Sequence, residues 1–463
     1  MAIFKSDTVI DINESLDKFK PKEVVELLSQ YIIGQEKAKR LVALALRNRI
    51  RRKFVPAELQ EEIAPKNILM IGPTGVGKTE IARRIAQLVD APFIKVEATK
   101  FTERGYVGRD VESMIRALVN HSVNLVKARM REAVKKDVDP EVTKTLQRAV
   151  WKELVDSGEL NDIEMTPADK RRERAAIAKR IANGEYDGLI VSVKLKKRPT
   201  SIFPMVEMFP GMDDMDTNIQ NLFGDTGIET EERKLLPIAE AREALTQQYM
   251  DERVDKDKAI EIGIRWAQEM GIIFIDEMDK ISDKAGGHGP DVSREGVQRD
   301  LLPIVEGTSV NTKYGVVKTD HMLFIAAGAF HVSKPSDMIP ELQGRFPIRV
   351  ELDSLSINDL KRILIEPKNS LVKQYTALLN TEGVNLNFDD DAFAKIVEIA
   401  YDINSNVEDI GARRLHTIME YLLEEISFNA PDMKDKNVNI TSAYVEDRLS
   451  SISKDRDITR YIL

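Results

Sequence analysis

The chain of 463 residues contains no cysteine, only five histidines and no long apolar run. Without cysteine, disulfides, iron–sulfur clusters and cysteine-bearing zinc sites are excluded, and a reducing compartment is favoured. The histidines form no His-Glu-x-x-His pattern, which excludes a zinc metalloprotease of that type. No segment approaches the roughly 18 apolar residues of a membrane span, and residues 1–17 lack the apolar core of a signal peptide. We therefore expect a cytoplasmic protein.

The overall amino-acid composition is that of a globular protein. Hydrophobic residues make up 42% and charged residues 31% of the chain, and the formal net charge is −9. These proportions are ordinary for globular domains, and the length predicts about two to four of them. The acidic balance argues against a general nucleic-acid binder, whose surface is basic.

A glycine-rich loop follows an apolar strand in the first quarter of the chain. The strand 67–71 leads into the sequence GPTGVGKT at residues 72–79, and apolar residues then recur at helical spacing. Such a loop presents backbone N–H groups and the positive end of a helix dipole to phosphate. The Lys78 ammonium can reach the β- and γ-phosphates, and the Thr79 hydroxyl can ligate Mg²⁺. The pattern predicts a nucleoside triphosphate site, and its candidate binding residues are Gly75, Val76, Gly77, Lys78, Thr79 and Glu80.

Three further apolar segments predict strands of the same sheet. They are residues 93–96, 271–275 and 322–327. Short and fully apolar strands are typical of a parallel sheet covered by helices on both faces. We therefore predict an α/β fold with a P-loop at one edge of a parallel sheet.

Two acidic residues end the strand 271–275. Ligands of open parallel sheets bind at the carboxyl ends of the strands, where Asp276 and Glu277 lie. The Asp276 carboxylate would hold Mg²⁺, directly or through water, and Glu277 would polarise the water that attacks the γ-phosphate. The alternative is that the acidic pair caps the next helix. Together with a P-loop, the pair favours catalysis.

The spacing of the motifs predicts an inserted domain. The interval between Lys78 and Asp276 far exceeds the about 30 residues of one strand–helix–strand unit. It contains charged helical segments and a Met/Phe/Pro-rich patch at 202–215, whereas a helical pattern dominates after residue 353. The predicted domains are a nucleotide-binding domain in two parts (1–124 and 258–351), a mainly helical insertion (125–257) and a small α-rich C-terminal domain (352–463).

Two arginines occur where they could meet the charge of a transferring phosphoryl group. Arginine suits this role because it is planar, forked and permanently charged. Arg345 lies in the turn-rich segment 340–347, which we do not expect to form a buried helix, and Arg413 begins a helix after Gly411 and Ala412. By periodicity alone, each would be a surface arginine.

Taken together, four motifs resemble those of an AAA+ ATPase of the Clp/Hsp100 group. They are the loop 72–79, the strand 272–277, the Gly344-Arg345 turn and the helix start at 411–413. The resemblance spans nearly the whole chain and implies an AAA+ P-loop core with a small α-rich domain. It is weakest in the insertion.

Within that group, the chain is similar to protein unfoldases that serve a separate HslV-like peptidase ring. The similarity rests on the insertion, on residues 289–300 and on the candidate pore loop and C-terminal docking tail. The pore-loop residues are Gly105, Tyr106, Val107 and Gly108, and the docking residues are Tyr461, Ile462 and Leu463.

The resemblance also assigns roles to single residues of an ATP and Mg²⁺ site. It implies that Asp276 and Glu277 are the Walker B pair, that Ile33 contacts adenine and that Arg413 senses the nucleotide state. Glu341 and Arg345 would reach the nucleotide of the adjacent subunit in a ring of six identical chains. The sequence departs from the family pattern at Ala327, where a polar sensor residue usually ends the strand, so a backbone group or water would serve there.

The resemblance implies an ATP-dependent unfoldase that threads polypeptides through a ring pore into a partner peptidase. The alternative is an AAA+ motor that acts on DNA, such as a branch-migration helicase, which would share the same nucleotide site. Tyr106 between glycines and the acidic net charge favour a polypeptide substrate over nucleic acid. A self-contained protease is disfavoured, since the chain has no Gly-x-Ser-x-Gly elbow, no cysteine and no metal-binding helix.

Overall fold

The structure, a computed structural model, describes residues 20–52, 54–63, 66–103, 109–161, 163, 165–196, 231–282, 294–406 and 409–454. The helices are α1 (Pro21–Ser29), α2 (Glu36–Arg52), α3 (Ala57–Glu62), α4 (Lys78–Leu88), α5 (Glu112–Asp156), α6 (Pro167–Ala182), α7 (Ile238–Arg253), α8 (Lys256–Met270), α9 (Met278–Ser282), α10 (Arg294–Glu306), α11 (Pro340–Arg345), α12 (Ile357–Ile365), α13 (Leu371–Asn380), α14 (Asp390–Asn406), α15 (Arg413–Asn429) and α16 (Ser442–Lys454). The strands are β1 (Ile68–Ile71), β2 (Phe93–Glu97), β3 (Ile190–Lys196), β4 (Glu231–Pro237), β5 (Ile272–Asp276), β6 (Ser309–Thr312), β7 (Gly315–Lys318), β8 (Leu323–Gly328), β9 (Ile348–Glu351), β10 (Asn385–Phe388) and β11 (Asn437–Ile440). Within these ranges, no helix combines the length and the apolar character that crossing a membrane requires.

The central sheet has five parallel strands in the order β2-β5-β8-β1-β9. The residues of β8 are all buried, and β5 is buried except at its last residue. This sheet confirms the predicted α/β fold. Because the strands run in one direction, the segments that follow β1, β5 and β8 emerge at the same edge.

The strand β9 was not predicted from the sequence. Its residues Ile348–Glu351 pair with β1 in register, but apolar and charged side chains alternate along it. A strand at the edge of a sheet does not need the continuous apolar sequence of a central one, so its signal is weaker.

Residues 340–347 form no buried helix, as expected, because most residues of the short helix found there are exposed. They begin with α11, which carries a proline at its first position and buries Leu342 completely. Proline is favoured at this position because its fixed φ suits a helix and its missing N–H is not needed there. Arg345, the last residue of α11, remains exposed.

The C-terminal helices α12–α16 enclose a core of their own. It contains Leu360, Ile396, Ile418 and Leu422, which are almost fully buried, and the parallel pair β10–β11 adds Ile440. The helical segments were predicted, whereas this pair of short strands was not.

By its contacts, the chain divides into two compact units. One comprises residues 119–265 and 313–315, and the other holds the remaining described residues. Within the first unit, β3 and β4 form an antiparallel pair, and Val191 and Val193 of β3 are buried. The Thr166 side chain caps α6 by accepting a hydrogen bond from the Asp169 N–H.

Candidate nucleotide-binding site

The glycine-rich loop that joins β1 to α4 contains three glycines with a positive φ, Gly72, Gly75 and Gly77. Gly75 has a φ of +75° and Gly77, which directly precedes α4, a φ of +101°. Glycine adopts these angles without the strain that a Cβ would bring. A Cβ on Gly75 would also lie 2.0 Å from the Ile410 carbonyl oxygen. The loop therefore needs glycine here both for its own conformation and for the approach of the segment that precedes α15.

Lys78, the first residue of α4, folds back over the loop. Its ammonium donates to the carbonyl oxygens of Gly72 at 2.6 Å and of Pro73 at 2.7 Å. Burial is the main cause that lowers the pKa of Lys78, and the carboxylates of Asp276 and Asp279 oppose this shift. The ammonium is therefore near the end of β5, as a phosphate-binding lysine must be.

Thr79 and Glu80 follow in the first turn of α4. Thr79 is half-buried. Glu80 forms ion pairs with Arg83 and Arg84, each at 2.7 Å, on the surface of the same helix. These pairs engage the Glu80 carboxylate within its own helix, while the Thr79 hydroxyl offers the oxygen donor that Mg²⁺ prefers.

The Asp276 carboxylate has a protein donor on each oxygen. Its Oδ2 lies 2.9 Å from the Lys95 ammonium of β2, and its Oδ1 accepts the Glu277 N–H at 3.1 Å. Among the described residues, no group of three or more His, Cys, Asp or Glu could hold a metal ion. Mg²⁺ commonly binds one or two protein oxygens together with substrate phosphates. Thr79 and Asp276 fit this donor set, and the Lys95 ammonium shows that the carboxylate accommodates a cation.

Glu277 is held in a strained conformation at the end of β5. Its φ is +60°, in the left-handed region that non-glycine residues rarely adopt. Its carboxylate Oε2 accepts a hydrogen bond from the Thr99 hydroxyl at 2.6 Å. Strain of this kind persists where the surrounding structure imposes it, and it concentrates at functional sites.

Ile33 is buried in the turn between α1 and α2. The next residue but one, Gln35, exchanges two hydrogen bonds with the backbone of Asp353, at 2.8 and 3.0 Å. Ile33, Gln35 and Asp353 line a cavity of about 410 Å³, together with Gly34, Glu36, Lys37, Ser354, Leu355 and Asp359. The preceding Leu352 donates its N–H to the Ile71 carbonyl at 2.8 Å. The cavity-lining Asp353 therefore directly follows a residue that is hydrogen-bonded to the end of β1.

Arg413 reaches the loop through the start of α15. Gly411 has a φ of +58°, and a Cβ there would lie 2.6 Å from the Thr74 carbonyl oxygen. The Ala412 N–H donates to the Gly75 carbonyl at 3.3 Å. The charge of Arg413 contributes to the lowered pKa of Lys78. The structure thus brings Lys78, Asp276, Glu277 and Arg413 to one edge of the sheet.

Arg345 and Glu341 lie near the amino ends of the strands, at the edge of the sheet opposite to the loop. The buried Asn67 precedes β1, and its amide donates to the Arg345 carbonyl at 3.1 Å while its Oδ1 accepts the Phe324 N–H at 3.0 Å. The Arg345 guanidinium pairs with Glu306 at 2.9 Å, and Glu341 is exposed. The structure does not bring Arg345 and Glu341 to the loop of their own chain.

The candidate pore-loop residues 105–108 and the docking residues 461–463 lie outside the described residues. Thr102 and Arg109 flank the candidate pore loop in the sequence, and the Thr102 N–H donates a hydrogen bond to the Arg109 carbonyl at 3.1 Å.

Three residues at this edge were missed from the sequence: Lys95, Thr99 and Asp279. A charged residue inside the apolar segment 93–96 was a usable signal for Lys95, but nothing local marked Thr99 or Asp279. Asp279 packs against the end of β8, since a Cβ on Gly328 would lie 2.9 Å from its Oδ1. A carboxylate therefore adjoins the end of β8, next to Gly328 and close to Ala327 in the sequence.

Comparisons with known proteins agree with this geometry. Residues 68–141 match the ATPase family associated with various cellular activities (AAA), and residues 200–349 match the AAA domain of the Cdc48 subfamily. The chain is 51% identical to the ATP-dependent protease ATPase subunit HslU of Oceanobacillus iheyensis, over 96% of this chain and 99% of that protein. It is 50% identical to the ATP-dependent protease ATPase subunit ClpY of Bacillus subtilis, over 96% and 98%. It is 49% identical to HslU of Desulfitobacterium hafniense, over 97% and 100%.

Proposed function

The chain belongs to the HslU (ClpY) family of ATPase subunits of ATP-dependent proteases, and from this membership we propose that it unfolds proteins and feeds them to a partner peptidase. The observation that carries the proposal is the meeting of Lys78, Asp276, Glu277 and Arg413 at one edge of the parallel sheet. Such an edge is where a P-loop ATPase holds its nucleotide. The chain hydrolyses ATP at this edge and uses the free energy of hydrolysis to unfold proteins.

ATP lies with its phosphates on the loop 72–79. The Lys78 ammonium exchanges the neutral carbonyls of Gly72 and Pro73 for phosphate oxygens, which are stronger acceptors because they are charged. Adenine enters the cavity beside Ile33. Arg413 approaches the phosphates from α15, so nucleotide binding couples the C-terminal helices to the sheet.

Thr79 and Asp276 would hold Mg²⁺, whose positive charge would offset the negative charge of the nucleotide phosphates. Glu277 accepts a proton from the attacking water as the new bond to phosphorus forms and the bond to ADP breaks. Its contact with the Thr99 hydroxyl fixes the carboxylate in a defined position.

Arg345 and Glu341 act on a nucleotide held by a neighbouring chain. Their position at the opposite edge of the sheet supports this assignment, since a ring brings that edge of one subunit against the site of the next. We propose a ring of six identical chains, the number that the family resemblance implies.

A partner peptidase of the HslV type supplies the proteolysis, and unfolded or tagged proteins are the substrates. Tyr106 grips the polypeptide in the pore, and the tail 461–463 docks on the peptidase. We place the protein in the cytoplasm on its cysteine-free composition. The relatives named above are protease subunits, and nothing in the comparisons supports a motor that acts on DNA.

The domain boundaries are part of the proposal. The compact unit of residues 119–265 and 313–315 supports an insertion, for which the sequence predicts the limits 125 and 257. The separate core of α12–α16 supports a small domain from residue 352 onward.

The test measures ATP hydrolysis and degradation of a folded fluorescent protein, with and without an HslV-type peptidase. We expect degradation only with ATP, chain and peptidase together, and none with the Lys78→Thr variant. The Tyr106→Ala variant should keep ATP hydrolysis and lose unfolding. ATP hydrolysis that DNA stimulates and peptidase leaves unchanged would overturn the proposal.

A further inference from the structure

The Lys95–Asp276 ion pair is not required by the hydrolysis scheme described above. Asp276 ends β5, and the Lys95 ammonium of β2 lies 2.9 Å from its Oδ2. The other carboxylate oxygen already accepts the Glu277 N–H. A metal ion that binds Oδ2 would therefore compete with the Lys95 ammonium for this oxygen.

The register of the two strands explains why this lysine reaches Asp276. In the parallel pair β2–β5, Lys95 lies opposite Phe274 and Glu97 lies opposite Asp276. Side chains two residues apart share one face of a sheet, so Lys95 extends along that face toward the strand end.

The same register sets two carboxylates against each other. Like charges directly opposite on neighbouring strands repel. Each is neutralised by its own lysine, since Lys95 pairs with Asp276 and Lys100 pairs with Glu97 at 3.0 Å. Lys95 therefore balances the charge of Asp276.

We propose that Lys95 is an internal counter-cation of Asp276 that a divalent metal ion must displace, so that Lys95 sets the metal affinity of the nucleotide site. A divalent ion at the same carboxylate repels the Lys95 ammonium. Its charge of +2 also exceeds the charge of +1 on the ammonium that it displaces. Lysine suits an exchangeable role because its charge sits on a flexible stem of single bonds. This inference rests on the proposed assignment of Asp276 as a metal ligand.

The absence of cysteine from the chain allows a direct test. The Lys95→Cys variant carries a single thiol, and alkylation with 2-bromoethylamine converts that side chain into a sulfur-containing lysine analogue. Mn²⁺ binding is measured by electron paramagnetic resonance with one equivalent of ADP per chain, before and after alkylation. The Lys100→Cys variant, treated in the same way, is the matched control.

We expect the Lys95→Cys variant to bind Mn²⁺ about 1.5- to fivefold more tightly than the unaltered chain, the range that corresponds to the free energy of a partly exposed ion pair. Alkylation should restore the original affinity in the same sample, which separates the charge from any effect on folding. The Lys100→Cys variant should match the unaltered chain in both states.

Unchanged or weaker Mn²⁺ binding by Lys95→Cys would overturn the inference, as would an equal gain in Lys100→Cys. The Asp276→Asn variant distinguishes this failure from that of the metal assignment. If Asp276→Asn keeps full Mn²⁺ affinity, the metal ligand itself is misassigned. If Asp276→Asn loses Mn²⁺ while the Lys95 variants do not differ, only the counter-cation is refuted.

Discussion

Arg345 should act only on the nucleotide of a neighbouring subunit, because its own site lies at the far edge of the sheet. Its backbone is bonded to Asn67, just before β1, whereas the loop begins at Gly72, just after it. Five residues of extended strand separate these points by about 17 Å. An arginine side chain cannot cover that distance, so a mixture of two inactive variants should recover activity.

The magnitude follows from counting competent interfaces. In a mixed ring, a site is intact when its own chain carries Arg345→Glu and the chain that supplies the arginine carries Glu277→Gln. At equal mixing this arrangement occurs at about one quarter of the sites of a closed ring, whatever its size. ATP turnover per chain should therefore reach about a quarter of the unaltered rate and fall toward zero at either extreme of the mixing ratio.

The assay is steady-state ATP hydrolysis over a series of mixing ratios, with native mass spectrometry to show that mixed rings form. A mixture of Lys78→Thr with Glu277→Gln is the control, because both lesions damage the site of their own chain and no arrangement restores it. Absence of recovery in confirmed mixed rings carrying Arg345→Glu would refute the assignment in trans. Equal recovery in the control would refute the counting argument.

Four further outcomes are expected. Glu277→Gln should bind ATP normally but slow its hydrolysis by roughly 10²–10⁴, measured as phosphate release after rapid mixing; normal turnover would contradict the role of this carboxylate. Gly75→Ala should weaken binding of a fluorescent ADP by more than about tenfold, because its Cβ would meet the Ile410 carbonyl at 2.0 Å and its φ is left-handed; unaltered affinity would show that the loop can adjust. Burial and then the charge of Arg52 lower the pKa of His321 below its ordinary 6.5. The unfolded chain therefore binds more protons below about pH 6.5, so thermal stability should fall as the pH drops from 7 to 5, and less steeply in His321→Gln; equal slopes would exclude this group. Deletion of residues 457–463 should preserve ATP hydrolysis while abolishing peptidase stimulation; full stimulation by the truncated chain would show that the tail is not the docking element.

A buried arginine, whose role no sequence pattern indicated, joins α2 to the segments that precede β5 and β8. Arg49 of α2 donates to the carbonyl oxygens of Glu269, Met270, Gly271 and His321 at 2.8 to 3.2 Å. Burial lowers its pKa to about 9, so it stays protonated at neutral pH and keeps its donors. Its sequence context is a helical run with several other arginines, and only the packing of α2 distinguishes it from them.

The sequence by itself determined those features that depend on local chemistry. The loop 72–79 was recognisable because phosphate binding needs glycine backbone freedom, a lysine and a hydroxyl at fixed spacing within one strand–helix junction. The strands β1, β5 and β8 were recognisable because a central strand that is covered on both faces must be apolar along its length. The acidic pair at the end of β5 was evident for the same reason, since it interrupts an apolar run. The strand β2 was recognisable from its mostly apolar residues, although it lies at the end of the strand order.

The tertiary structure alone decided which distant residues meet. Lys95 reaches Asp276 and Thr99 reaches Glu277 because β2 is placed beside β5, a pairing that bridges a long insertion and leaves no mark on either segment. Arg345 is separated from the loop because β9 pairs in parallel with β1 and so places α11 at the opposite edge. Strand order and register depend on the burial of side chains summed over the whole core. Motifs, in contrast, are recognised from residues that are close together in the sequence. Contacts between charged residues on different strands can therefore be identified only in the assembled sheet.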